Sequence, residues 1–74
     1  VKLKIEISDE QAQTIQRILD SVNDGREFPG THGKLTIEGL IQMLLADVEM
    51  VHTRPGSWEG ANMAQVLTSH GYEY

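Results

Sequence analysis

The stretch that decides the reading of this chain is its first eleven residues, Val1-Lys2-Leu3-Lys4-Ile5-Glu6-Ile7-Ser8-Asp9-Glu10-Gln11. Leu3, Ile5 and Ile7 alternate with Lys2, Lys4 and Glu6, and a period of two predicts a strand over 2–7 with one apolar face. β-Branched Ile at two of the three apolar positions favours an extended backbone. Ser8 then reads as a helix N-cap, with Gln11 three residues on completing a capping box. Asp9 and Glu10 place negative charge where a helix dipole favours it. Ala12, Ile15, Ile18, Leu19 and Val22 follow at helical spacing, which predicts a first helix over 9–22. Asn23-Asp24-Gly25 is a stop signal, Gly25 being suited to a left-handed cap.

Residues 23–35 read as a loop, with Gly25, Pro29-Gly30 and Gly33 in it and Phe28 as its one large apolar side chain. Thr36 is the next candidate cap. Ile37, Leu40, Ile41, Leu44, Leu45 and Val48, extended by Met43, Met50 and Val51, predict a second helix over 37–51. It is apolar around more than half its circumference, wider than one neighbour can cover. Arg54-Pro55-Gly56 breaks that pattern. Ser57 can cap a short third helix, ended by Gly71, inside a C-terminal extension of residues 53–74. Trp58, Met63, Val66 and Leu67 fall on the apolar side of that helix.

Size and charge bound the function. A chain of 74 residues has room for one domain, and one this small is marginal without disulfides, a metal or a partner chain. It has no Cys, so disulfides and thiolate metal sites are excluded. Leu, Ile, Val and Phe number 19 of the 74 residues, above the level of disordered chains, which leaves association as the route to stability. The net charge of −5 argues against indiscriminate binding to nucleic acid or anionic membrane. No apolar run reaches membrane-spanning length and no signal-type apolar segment opens the sequence, so a cytoplasmic protein without a membrane partner is expected. His32, His52 and His70 lie too far apart to resemble a zinc-ligand pair, and no cofactor or metal is expected. No nucleophile, phosphate-loop or dinucleotide motif occurs, and so short a chain rarely builds a substrate pocket, so no catalysis is expected.

A lone strand leaves its backbone groups unpaired, which points to the same strand of another copy as its partner. A two-fold axis at Lys4 would oppose Lys2 to Glu6 across the pair. Strand, capped helix, connection and second capped helix together resemble the ribbon-helix-helix family. The residues carrying that resemblance are Lys2 to Ser8, then Ala12, Ile15 and Leu19, then Leu35-Thr36-Ile37-Glu38-Gly39-Leu40-Ile41 with Leu44-Leu45, a core of about residues 2–52. The resemblance implies a mainly α chain with one N-terminal strand, forming a homodimer whose β-ribbon enters the major groove of double-stranded DNA. It also implies a transcriptional regulator, a repressor of plasmid or phage type. Lys2, Lys4 and Glu6 match the family's base-reading positions: Lys can donate to guanine, and Glu can accept from cytosine. Thr36 and Ile37, with Lys34 beside them, match its phosphate-holding helix N-terminus. The long 23–35 connection and the acidic balance depart from the family pattern. Read without the family, Lys2, Lys4 and Glu6 are a solvated strand face, and Thr36 is an ordinary cap.

Two alternatives stand beside this reading. The pentapeptide 34–38 echoes 2–6, which would make the chain a small α+β domain of βαβα order. The acidic surface and a tail bearing Trp58, Met63, Leu67 and Tyr72 would instead suit a non-enzymatic protein-interaction module, antitoxin-like or inhibitor-like. Trp58 is then either a core anchor or a binding hot spot.

Overall fold

The computed structural model describes residues 1–24 and 33–74. Its elements are α1 (Asp9–Asn23), α2 (Ile37–Thr53) and α3 (Trp58–Ser69), grouped in two compact units, Val1–Gly39 and Leu40–Tyr74. The expectations for Gly25, Phe28 and His32 fall outside the described residues.

In the first unit, α1 begins where the sequence marks its cap. Ser8 is extended (φ −69°, ψ 156°), and its Oγ accepts the Gln11 N–H at 3.0 Å. Ala12 N–H reaches the Ser8 carbonyl at 2.9 Å, so the first turn closes without a free donor at either residue. The apolar stripe of α1 is used unevenly. Leu19 is fully buried at 1% exposure, Ala12 and Ile15 are half-buried, and Ile18 and Val22 stay open.

The helix ends in a clasp. Asn23 Nδ2 donates to the Leu35 carbonyl at 2.8 Å, and Leu35 N–H donates to Asn23 Oδ1 at 2.9 Å. One side-chain amide thus satisfies both backbone groups of a residue twelve positions away, as a neighbouring strand would. Thr36 Oγ1 then accepts the Gly39 N–H at 3.0 Å, capping α2.

The second unit is a helix pair in close backbone contact. Arg54 N–H bonds the Met50 carbonyl at 2.9 Å, extending the last turn of α2, and Ser57 N–H bonds the Arg54 carbonyl at 2.9 Å. Ser57 Oγ donates to that same carbonyl at 2.6 Å and accepts the Gly60 N–H at 3.0 Å, so one hydroxyl ties the end of α2 to the start of α3. Gly60 is buried, and a Cβ there would lie 2.5 Å from the Met50 carbonyl oxygen and 2.6 Å from that of Arg54. Only glycine allows the two backbones this close. At its far end α3 is stopped by Gly71 (φ +88°). Tyr72 N–H reaches back to the Leu67 carbonyl and Gly71 N–H to that of Thr68, both at 2.9 Å, which is the Schellman arrangement.

These facts correct the expected fold. The described residues form three helices and no strand. Residues 1–8 carry no regular secondary structure, so neither the N-terminal strand over 2–7 nor the ribbon-helix-helix order is formed. The reason is that a strand exists only by pairing. Alternation in 2–7 specifies which side chains share a face, but no described part of the chain offers the segment a ladder. The βαβα alternative fails at its second strand. Ile37 and Glu38, the last residues of the echo, form the first turn of α2, because the Thr36 cap and the helical apolar spacing after it outweigh five residues of resemblance.

Candidate interaction surface

The residues expected to touch DNA are exposed: Lys2, Lys4 and Glu6 on the segment before α1, and Lys34 and Thr36 ahead of α2. The Thr36 hydroxyl is already engaged as a cap by Gly39, which takes up one of the amides that a phosphate at this helix N-terminus would use. The residues expected to touch a protein divide. Met63 and Leu67, one helical turn apart, are half-buried along α3. Trp58 and Tyr72 are open, at 78% and 68% exposure. As a side chain Trp58 is no core anchor. It stands at the first residue of α3, directly after the Ser57 cap.

The sequence marked the width of the α2 stripe without naming a site on it. In the structure that stripe has an inner and an outer part. Val51 is buried at 7% exposure, and Leu40, Met43 and Met50 are half-buried. Leu44, Leu45 and Val48 form the open part. Beside them lies a shallow depression lined by Gln42, Leu45, Ala46, Val48 and Glu49. Isolated exposed leucines are ordinary, but adjacent apolar side chains along one helix form a patch with a meaning. α2 has no Lys or Arg, and the carboxylate at the edge of the patch is that of Glu49.

Beyond α3, Tyr74 returns to the end of α2. Its hydroxyl meets His52 Nδ1, and the two rings stand edge to face with centroids 5.8 Å apart. Among the described residues no three His, Asp or Glu side chains gather as a metal site would require. No helix among them is long and apolar enough to cross a membrane. The charges are unevenly divided along the sequence. Lys2, Lys4, Arg17, Arg26 and Lys34 precede Leu40, and Arg54 is the one base after it, beside Asp47, Glu49, Glu59 and Glu73.

Comparison with family models, with curated proteins and with solved structures returns no match.

Proposed function

We propose that the protein is a non-enzymatic interaction module that acts by binding another protein chain. One observation carries this reading. Among the described residues only Leu19 and Val51 are buried hydrophobics, whereas Leu3, Ile5, Ile18, Leu45, Trp58, Tyr72 and Tyr74 are more than half exposed. A chain of this size gains its stability from apolar burial, and so much uncovered apolar surface is explained if a further chain covers part of it. Solution mass and affinity capture test the reading together. A partner held at fixed stoichiometry supports it. A monomer that captures no protein but retains duplex DNA at low salt overturns it.

That second outcome is the other reading, a DNA-binding transcriptional regulator of the cytoplasm. What favours it is the placement of every lysine in residues 1–39, with Lys2, Lys4 and Lys34 all exposed. Contact would run through Lys2, Lys4 and Glu6, with Lys34 and Thr36 toward phosphate. Lys4→Ala should then weaken specific binding by about 1–3 kcal/mol in a low-salt titration.

A further inference from the structure

We infer that the outer face of α2 is a docking site for a basic amphipathic helix of another protein. The inference rests on the interaction-module reading and names its surface and partner class. Ile41, Leu44, Leu45 and Val48 stand at i, i+3, i+4 and i+7, the spacing with which one helix presents anchors to another. Leu44, Leu45 and Val48 are open and Ile41 is half-buried. At 3.6 residues per turn, Gln42 and Glu49 run along the flank next to Leu45, while the flank next to Leu44 passes through Val51 and Leu40 into the inner part of the helix, where Asp47 lies. The depression between Gln42, Leu45, Ala46, Val48 and Glu49 is the place for an incoming apolar side chain, with the Glu49 carboxylate at its edge.

Charge selects the occupant. The open flank of the face carries the Glu49 carboxylate and no Lys or Arg, and residues 40–74 hold four acids against Arg54 alone. A second copy of α2 would bring apolar side chains of the right spacing but again no Lys or Arg. A helix with an apolar stripe flanked by Lys or Arg supplies both halves of the match, and Glu49 then pairs across the rim instead of facing its own kind.

The experiment uses the full chain and two fluorescein-labelled 18-residue helical peptides of identical apolar pattern, one of Leu and Lys, the other of Leu and Glu. Anisotropy titration should give at least tenfold tighter binding for the Leu/Lys peptide. Leu45→Ser should weaken that binding tenfold or more, Glu49→Gln about threefold, and Trp58→Ala less than twofold. Leu45 is half exposed, and circular dichroism on each variant verifies that the helices persist. Leu/Lys binding that is indifferent to both Leu45→Ser and Glu49→Gln overturns the assignment. So does a dimer in sedimentation that Leu45→Ser dissociates, since the second copy is then the occupant. Loss of binding with Trp58→Ala alone overturns the α2 site while leaving the interaction-module reading in place.

Discussion

Residues 1–8 and residues 50–60 are two short stretches with opposite structural fates, and the more apolar of them is the one that stays open. In the first, Leu3, Ile5 and Ile7 remain 77%, 64% and 42% exposed, and no regular structure forms. In the second, the end of α2 and the start of α3 meet backbone to backbone around Gly60, closed by the Ser57 hydroxyl. The difference is where the completing atoms come from. Around Gly60 every partner lies within ten residues of chain. A β-pattern needs a ladder from a distant segment, and 1–8 meets none among the described residues. Local interactions cost little chain entropy to assemble, and non-local ones cost more.

The sharpest way to break the contrast is at Gly60. Gly60→Ala sets a methyl group against the Met50 and Arg54 carbonyl oxygens, and backbone atoms cannot step aside as side chains can. The expected loss is about 3 kcal/mol, at the top of the usual range for overpacking, read as a lower urea midpoint. Gly56→Ala is the control, because a Cβ there meets nothing within 4 Å, and it should change stability by less than about 0.5 kcal/mol. If both variants behave alike, the close approach does not hold this unit together.

Next in size is the clasp at Asn23. Asn23→Ala leaves the N–H and the C=O of Leu35 without partners in a part-buried setting, and should cost about 1–2 kcal/mol. Asn23→Asp keeps the acceptor for Leu35 N–H but turns a carboxylate oxygen toward the Leu35 carbonyl. It should therefore lose nearly as much, despite being the smallest change in shape. Thermal unfolding of the two variants side by side distinguishes a clasp from simple side-chain packing, which Asp would preserve.

Caps come third. Ser57→Ala removes both an acceptor for Gly60 N–H and a donor to the Arg54 carbonyl. Ser8→Ala removes one acceptor, for Gln11. Each should cost about 1 kcal/mol, Ser57 the more of the two, in denaturant titrations run on the same protein background.

What was readable in the sequence follows the same division. Ser8, Thr36 and Ser57 were legible as caps, and Gly71 as a helix stop, because each acts on atoms one to five residues away. The split of the α2 stripe into an inner part around Val51 and an outer part around Leu45 was not legible. Both parts are equally apolar, and only the α3 crossing at Gly60 says which side of the unit faces inward. Gly60 itself carried no signal, since a glycine inside a helical pattern reads as a weak helix former. Asn23 reads as part of a helix stop, and its further role depends on Leu35, twelve residues on. Trp58 left two options open, core anchor or exposed anchor, that composition could not separate, and its 78% exposure at the start of α3 decides between them. The alternation over 2–7 predicts a strand that does not form. The alternation is real, but a pattern of faces does not itself supply a partner.

The smallest expected effect tests that last point. Ile5→Thr keeps β-branching while replacing the ethyl arm by a hydroxyl. At 64% exposure Ile5 has little apolar contact to lose, so the stability of the dilute chain should change by no more than about 0.5 kcal/mol. The same substitution at Leu19, 1% exposed, would cost several times as much, because a buried hydroxyl adds an unmet hydrogen bond to the lost packing. Urea titrations at two protein concentrations tenfold apart give the decisive reading. A concentration-independent, near-zero effect fits residues 1–8 as an uncovered segment. A loss above about 1 kcal/mol that grows with protein concentration would mean that Ile5 is buried against another chain, and the contrast with Gly60 would then be one of between-chain against within-chain completion.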